Sequence, residues 1–452
     1  MSLSGAMNIA LSGLNAQQRA LQVLGGNVSN ATDESYTRKS ITSSASAGGV
    51  TTADVTRATD NALARDLIAY TSLAGQADAQ STYMSKLSTL FGVSTSDAGL
   101  ASAVSDLNDA FAVLQSTPDS STGQAEVIAK ADALARKIND LMAGLESIDR
   151  EIQQETTDKV GQVNDLLEKI DTLNKQVKTV AAAGGDKTTL EDQRDAAVRS
   201  LAQLIDVKTI ARGDGSLAVY TAGGESLVDQ DATRLAYDGT DITREGDTRS
   251  LNGSIRSGAL AGLLALRATG TSATAGTAVI SELKDQVQAF TASLTSTGAG
   301  DFATAYDSAT TATGELASGF FVMTGGTISV NAALLDGTAT LKQAAISPAS
   351  AALVSGSHGI SAGGLTVTGE DYAGIARSII SSLSADVGAV TNRADLADAT
   401  KTEAATRFQS SVGINMDEEL ANLQVLQNAY AASAKVMQTV NQLYDSLFAI
   451  IR

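Results

Sequence analysis

The chain has 452 residues, with 32 lysine and arginine residues against 50 aspartate and glutamate residues, so its formal net charge is −18. This balance argues against a nucleic-acid-binding protein, because such proteins gain affinity from cationic side chains that replace phosphate counterions. The chain has no cysteine and a single histidine, His358, which excludes disulfides, thiol catalysis, cysteine-ligated metals and multi-histidine zinc sites.

We therefore predict a non-enzymatic protein with no catalytic residues, no cofactor and no metal site. His358 lies in the polar stretch 355–359, and we expect it to be solvent-exposed. The longest apolar stretches are too short to cross a bilayer, and the N-terminus has no basic region followed by an apolar block. We expect no membrane insertion, and secretion by a route that needs no cleaved signal peptide.

Both terminal segments carry an apolar stripe whose members are three and four residues apart. The N-terminal stripe, weakened by Gln18 and Gly25, consists of Met7, Leu11, Leu14, Leu21 and Val28. The C-terminal stripe consists of Leu423, Leu426, Tyr430, Met437, Val440, Tyr444, Leu447 and Ile451, with the polar Ser433 at the position between Tyr430 and Met437. This spacing is typical of coiled-coil helices. Each stripe could pack on a core of its own, but we predict that the two pair with each other and with neighbouring copies.

The region 60–205 has a helical pattern. Apolar residues recur at heptad spacing over 134–152 and again over 163–180, separated by an eleven-residue step that is typical of a coiled-coil stutter. We expect this helix to stop at 181–185 and a further helix to cover Thr189 to Ile205.

From Asp206 the pattern changes to strands. Two alternating runs, 207–210 and 216–220, flank Gly213-Asp214-Gly215, which predicts a β-hairpin. Short helices are expected at 259–267 and 281–294, and strands near 327–330 and 365–367. Helix resumes from Asp371, with breaks predicted near Gly388 and Gly413.

This order of elements predicts a mainly α fold with a β-rich inserted region, arranged as a nested rod. Terminal coiled-coil helices form the base, 1–45 with 415–452. A long helical domain follows, 46–205 with 370–414. A β-rich outer domain with short helices covers 206–369.

Three sequence motifs carry a resemblance: an N-terminal motif at 25–38, an internal motif at 190–195, and a C-terminal motif in the two segments 413–423 and 430–436. The segment 25–32, which contains Asn27 and Asn30, is followed by Ser35-Tyr36-Thr37-Arg38 and resembles the motif shared by bacterial flagellar rod, hook and hook-associated proteins. Asp33-Glu34-Ser35 stands where that family has Pro-Gly. The segments 413–423, 430–436 and 190–195 resemble hook-associated proteins, and the helical region 60–205 favours the hook–filament junction class within that family.

The resemblance implies a structural protein, a ring of copies at the junction of hook and filament that is needed for filament assembly. It implies as partners other copies of the chain, the hook protein, the next hook-associated protein on the filament side, and an export chaperone that binds the C-terminal helix. It also implies export through the flagellar type III channel. The predicted assembly interface consists of the two terminal stripes together with Asn27, Asn30 and Tyr36.

Two other functions remain open from the sequence. The chain could be a flagellar hook or rod subunit. It could instead be a secreted adhesin or hydrolase with a site in 206–369, although that region shows no converging acids and no metal cluster.

Overall fold

The structure, a computed structural model, describes residues 3–46, 49–92, 99–269, 274–296, 298 and 301–451. Within them the helices are α1 (Leu3–Ser29), α2 (Asn61–Phe91), α3 (Leu100–Ser116), α4 (Ser121–Ala182), α5 (Thr188–Leu204), α6 (Ala259–Leu266), α7 (Val279–Thr295), α8 (Phe302–Asp307), α9 (Ala332–Leu335), α10 (Gln343–Leu353), α11 (Tyr372–Val412) and α12 (Met416–Ile451).

The strands are β1 (Lys39–Ser46), β2 (Gly49–Arg57), β3 (Val207–Ala211), β4 (Leu217–Thr221), β5 (Ser226–Val228), β6 (Leu235–Tyr237), β7 (Ile242–Arg244), β8 (Phe321–Thr324), β9 (Thr327–Val330), β10 (His358–Ala362) and β11 (Leu365–Glu370). They form small antiparallel sheets, one of three strands in the order β3-β4-β5 and otherwise two-stranded hairpins. The predicted mainly α fold with small β elements is confirmed, and so is the packing of the two terminal helices on each other.

The chain folds into two compact units. The first comprises Met1–Ala74, Val160–Gly258 and Ala397–Arg452, and the second comprises Gly75–Lys159 and Ala259–Leu396. Helices α2, α4 and α11 contribute residues to both. The nested three-part division given above stays a prediction.

The second unit is built around one hydrophobic core to which α2, α3 and α4 contribute together with α6 to α10 and the start of α11. Aromatic rings occupy part of this core: Phe302 packs edge-on against Phe111 and Phe320, at ring-centroid distances of 5.9 and 5.2 Å. Such edge-to-face pairs add to the stabilisation that burial of the rings provides.

The prediction that His358 is solvent-exposed is wrong. The residue begins β10 and is 5% exposed. Its Nε2 lies 2.7 Å from the carbonyl oxygen of Ala352, and its ring stacks on Tyr372 with centroids 4.1 Å apart. The flanking serines and glycines lead into a strand whose first side chain is buried.

Long helix α4 is joined to the sheets by asparagines. Asn174 Nδ2 donates to the carbonyl oxygen of Leu217 at 2.9 Å, and Asn174 Oδ1 accepts from the N–H of Leu217 at 2.9 Å. Asn164 makes the same two bonds to Leu235, at 2.9 and 2.7 Å. Because a strand edge leaves N–H and C=O groups open, an amide side chain can satisfy both.

Most predicted boundaries are confirmed. Helix α4 stops at Ala182, and Gly184 adopts a positive φ of 69° there. Strands β3 and β4 form the predicted hairpin. The predicted break near Gly388 is wrong, because α11 continues through it, whereas the break at Gly413 is confirmed. The β1–β2 hairpin was not predicted.

A buried carboxylate lies just after α5. Asp206 is buried, and its Oδ1 accepts from the N–H of Arg256 at 3.2 Å. Its Oδ2 has no hydrogen-bond partner in the part of the chain that the structure describes. Burial raises the pKa of Asp206 above its ordinary value of 3.8.

Replacing Asp206 with asparagine is expected to raise the free energy of unfolding at about pH 7.5, by about 1 kcal/mol, because it removes a buried charge. The folded state holds the Asp206 proton more tightly than the unfolded state. The buried charge therefore lowers the free energy of unfolding by its full amount above the folded-state pKa of Asp206, and this loss shrinks as the pH falls through that pKa. The gain of D206N should therefore shrink toward pH 4 in urea unfolding. A variant less stable than the parent at pH 7.5 would contradict this.

Candidate assembly site

The end of α1 is fastened by the side chain of Asn27, which is 1% exposed. Its Nδ2 donates to the carbonyl oxygen of Lys39 at 2.9 Å. Its Oδ1 accepts from the N–H of Lys39 at 3.0 Å and from the Tyr36 hydroxyl at 3.1 Å. Asn30 Nδ2 donates to the carbonyl oxygen of Gly26 at 2.8 Å, which satisfies an acceptor left open at the helix end. The two asparagines of the N-terminal motif therefore hold the turn after α1.

The turn 33–36 is closed by the side chain of Asp33. Asp33 Oδ1 accepts from the N–H and the hydroxyl of Ser35, at 2.8 and 2.7 Å, and these bonds lower the pKa of Asp33. The Lys39 ammonium lies 4.5 Å from the centroid of the Tyr36 ring. Burial raises the pKa of Tyr36 to about 12, so its hydroxyl stays protonated and can donate.

The internal motif 190–195 meets this turn through Asp192, which is 5% exposed. Thr37 Oγ1 donates to Asp192 Oδ1 at 2.6 Å. The buried Lys39 Nζ lies 3.6 Å from Asp192 Oδ2 and donates to Thr189 Oγ1 at 2.6 Å. Since a buried charge is tolerated only when it is paired, Asp192 and Lys39 depend on each other.

A second cation reaches the same carboxylate. Arg57 is the cross-strand partner of Lys39 in the β1–β2 hairpin. Its Nη1 lies 3.2 Å from Asp192 Oδ1 and 2.7 Å from Asp195 Oδ2, and its Nε lies 3.2 Å from Glu191 Oε2. One end of the hairpin is thereby anchored to α5 by charge-assisted hydrogen bonds.

The C-terminal motif joins at the α11–α12 turn. The N–H of Arg38 donates to the carbonyl oxygen of Val412 at 2.8 Å, and its Nη1 lies 2.9 Å from Glu418 Oε2. Asn415 Oδ1 accepts from the N–H of Asp417 at 3.0 Å and so caps α12. All three motifs that carry the resemblance therefore meet in the first unit.

The helices α1 and α12 pack together through small and polar side chains. Gln17 Nε2 donates to Ser433 Oγ at 3.1 Å. The buried apolar residues are Ala10, Ala16 and Leu24 on α1 and Val440 on α12. Helix α1 also contacts the hairpin, where the N–H of Val50 donates to Ser12 Oγ at 3.0 Å.

The predicted interface residues fall into three groups. The half-buried ones are Met7, Leu14, Leu21, Val28, Asn30, Tyr36, Leu423, Leu426, Met437 and Tyr444. Val440 and Asn27 are buried, and Leu11, Tyr430 and Leu447 are exposed. The side chain of Ile451 lies outside the described residues. The structure thus packs the two helices that carry the stripes against each other, and the role of the stripe residues in assembly stays a prediction.

A second apolar stripe on α12 was missed. Val425, Val436 and Leu443 are 65%, 51% and 51% exposed. They are separated by eleven and then seven residues, and these spacings keep the three on one helix face. The sequence contains a signal for this stripe, because the apolar residues of α12 cover a wider arc of the helix surface than one coiled-coil seam requires. We call these three residues the outer stripe.

Replacing Asn27 with alanine is expected to lower the free energy of unfolding by about 2–3 kcal/mol, because the N–H and C=O of Lys39 would be left buried without partners. The matched variant N30A loses one partly exposed bond and should cost about 1 kcal/mol or less. Urea unfolding of both variants measures the difference. Equal losses would show that Asn27 does not organise the turn.

Comparison with known proteins finds two matching families, and both concern the bacterial flagellum. Residues 405–450 match the family described as the C-terminal region of the flagellar basal body rod FlgEFG proteins. Residues 84–321 match the family described as the flagellar hook-associated protein FlgK helical domain. Both are families of bacterial flagellar structural proteins.

The FlgK match covers more than half of the chain, and the chain belongs to that family of flagellar hook-associated proteins. The predictions of a structural flagellar component and of a non-enzymatic protein are confirmed.

Relatives of known name agree with this assignment. The chain is 28% identical over 293 residues to flagellar hook-associated protein 1 of Escherichia coli K12, covering 59% of this chain and 52% of the relative. It is 27% identical over 228 residues to the Bacillus subtilis 168 protein of the same name, covering 47% and 45%. The chain thus spans about half the length of the curated relatives it matches.

Among solved structures, the flagellar hook junction protein FlgK from Burkholderia pseudomallei is similar, with a TM-score of 0.49 and 21% identity. The alignment covers 57% of this chain and 47% of that one.

Two features are absent from the described residues. No group of three or more histidine, cysteine, aspartate or glutamate side chains there could hold a metal ion. No helix among them is both long enough and apolar enough to cross a membrane.

Proposed function

We propose that this protein forms the structural junction between the flagellar hook and the filament, as a ring of copies that is needed for filament assembly. The observation that carries the proposal is the outer stripe. Helix α12 is already packed against α1, yet it keeps large apolar side chains in solvent. Exposed apolar surface of this kind is typical of a face that another protein covers.

In this proposal the terminal helices form the assembly interface. Helices α1 and α12 pack on each other within each copy, and the predicted stripe residues together with the outer stripe contact neighbouring copies. Asn27, Asn30 and Tyr36 act indirectly, since their side chains fix the turn that places α1 beside the hairpin. The nested three-part organisation belongs to the same proposal, with the terminal helices at the base of each subunit.

The proposed partners are those that the resemblance of the sequence motifs implies. We propose that the chain binds the hook protein on one side and the next hook-associated protein on the other, and that an export chaperone binds its C-terminal helix before export. We propose export through the flagellar type III channel without a cleaved signal peptide.

A hook or rod subunit is the second candidate, because residues 405–450 match rod proteins as well. The two candidates differ in where the protein is found. A junction protein occupies one short position per flagellum, whereas a hook subunit is distributed along the hook.

Deletion of the gene tests the proposed function. We expect cells that keep their hooks, lack filaments, release filament protein into the medium and cannot swim, with all four features reversed by the parent gene. A deletion strain with full filaments and normal swimming would overturn the proposal.

A further inference from the structure

A lysine of the second unit is completely buried. Lys342 comes directly before α10 and is 0% exposed. Lysine is almost never fully buried in folded proteins unless its charge is paired. Among the described residues, however, no carboxylate oxygen lies within 4.0 Å of the Lys342 ammonium. Other groups must therefore stabilise this buried charge.

Backbone carbonyl groups take the place of a paired carboxylate. The Lys342 Nζ donates to the carbonyl oxygens of Tyr306, Asp307 and Ala309, at 3.3, 2.9 and 3.2 Å. These carbonyls lie at the C-terminal end of α8 and just beyond it, where a helix leaves its last C=O groups without intrahelical partners. An ammonium has three N–H donors, one for each acceptor, whereas a neutral amine has fewer. The geometry therefore fits the charged form of the side chain.

The side chain of Tyr306 also contacts Lys342. The centroid of its ring lies 5.5 Å from the Lys342 Nζ, within the range of a cation–π contact. Its hydroxyl oxygen accepts from the N–H of Lys342 at 3.2 Å. Burial raises the pKa of Tyr306 to about 12, so the hydroxyl is uncharged at neutral pH. The groups bonded to this lysine are thus all neutral.

Two carboxylates of this region are hydrogen-bonded to the backbone. Asp307 Oδ1 accepts from the N–H of Gly319 at 2.9 Å. Glu315 Oε1 accepts from the N–H of Gln343 at 2.9 Å. Their negative charges add to the effect of burial on the pKa of Tyr306. They therefore also favour a cation at this place from a longer distance.

The buried ammonium joins two parts of the second unit that are far apart in sequence. Its bonds to Tyr306 and Ala309 span 36 and 33 positions. Beside them the N–H of Leu316 donates to the carbonyl oxygen of Thr340 at 2.9 Å, and the N–H of Thr340 donates to that of Gly314 at 3.0 Å. The loop between α8 and β8 is thereby closed onto the start of α10.

We propose that the backbone carbonyls at the end of α8 form a binding site for a cation, which the chain fills with its own Lys342 side chain. A cation in this site is required to hold the loop between α8 and β8 against the start of α10. The class of ligand is a primary ammonium, because its N–H groups match the carbonyl acceptors in number. The junction function proposed above does not depend on this site.

Removal of the cation tests whether the site needs one. K342M keeps a long side chain but has no N–H donors, so the carbonyls lose their bonds. We expect the amides of Leu316 and Thr340 to exchange with solvent at least about tenfold faster than in the parent, because buried carbonyls without partners favour local opening. K130A removes a lysine of the same unit whose side chain is 37% exposed, and it should leave these rates unchanged. Parent-like exchange in K342M would overturn the proposal.

Chemical rescue tests which ligand the site takes. K342A removes the side-chain atoms from Cγ to Nζ, which together correspond to propylammonium. We expect propylammonium chloride to slow the exchange of Leu316 and Thr340 in K342A back toward the parent rates. Tetramethylammonium chloride at the same concentration should not, because it carries the same charge without N–H donors. Propylammonium should also fail to rescue K342M, whose longer side chain occupies the site.

The rescue experiment gives an answer even if a variant does not fold. All measurements use the full chain. If K342A is unfolded in buffer, its far-ultraviolet circular dichroism is followed as propylammonium is added, and recovery of the helical signal supports the site. Equal effects of the two salts on K342A, or no effect of either, would overturn the proposal and leave the junction function standing.

Discussion

Replacing Asp192 with alanine is expected to lower the free energy of unfolding by about 3–5 kcal/mol, the usual loss when one partner of a buried ion pair is removed. The Lys39 ammonium would remain buried and would keep the hydroxyl of Thr189 and the face of the Tyr36 ring, but no carboxylate within 4.0 Å among the described residues. Thr37 would lose its acceptor as well. Arg57 would be less affected, because Asp195 and Glu191 still contact it.

Two variants make this expectation specific. D192A/K39M removes both charges and should recover at least half of the loss, since an apolar side chain can replace a buried charge at little cost. E418A removes the exposed partner of Arg38 and should change stability by about 1 kcal/mol or less. Urea unfolding gives the free energies, and hydrogen exchange of the 27–39 backbone locates the effect. A D192A loss no larger than that of E418A would contradict the buried network.

Placing aspartate at two outer-stripe positions, V436D with L443D, is expected to leave the isolated protein as stable as the parent and to abolish its assembly. Both side chains are half exposed in the single copy, so the new charges stay in water there. In an assembled contact each would be buried, at several kcal/mol per charge, and every 1.4 kcal/mol is a tenfold loss of binding. We expect at least about a hundredfold less protein in isolated hook–basal bodies and loss of swimming.

The control adds the same charge to the same helix. Gln438 and Gln442 are exposed polar residues of α12, and Q438D with Q442D should assemble far better than the stripe variant. If both double variants lost assembly to the same extent, added charge on α12 and not burial of the outer stripe would be the cause of the defect. If both assembled like the parent, the outer stripe would not be an assembly contact.

Much of the helical layout could be predicted because it depends on local pattern. The predicted helix 189–205 corresponds to α5 (Thr188–Leu204), and the Asp-Gly turn at 213–215 correctly marked the β3–β4 hairpin. A helix break was predicted near Gly388, but α11 continues through it. A single glycine costs a helix only about 1 kcal/mol, which a helix as long as α11 can absorb.

The contacts between the motifs could not be predicted. The motifs 27–38 and 190–195 were recognised separately, but the bond from Thr37 to Asp192 joins residues 155 positions apart. Periodicity contains no information about such pairs. The β1–β2 hairpin was missed for a related reason, since its serine- and threonine-rich strands pack on α1 and not in a large apolar core.

The terminal stripes show where a pattern of large apolar residues misleads. On α1 the buried positions include Ala10 and Ala16, whereas Leu11 is exposed. Small side chains allow two helices to approach closely, so they can be buried at the contact even though a hydrophobic pattern gives them little weight. The larger side chains on the free faces stay exposed.

The most direct measurement for the junction assignment is the position of the protein on intact flagella. Thr248 is exposed, and T248C would give a single reactive thiol in a chain that has no other, so a maleimide dye labels this site alone. We predict one compact spot per flagellum, between a separately labelled hook and a separately labelled filament. Label spread along the hook, along the filament or confined to the basal body would contradict the assignment.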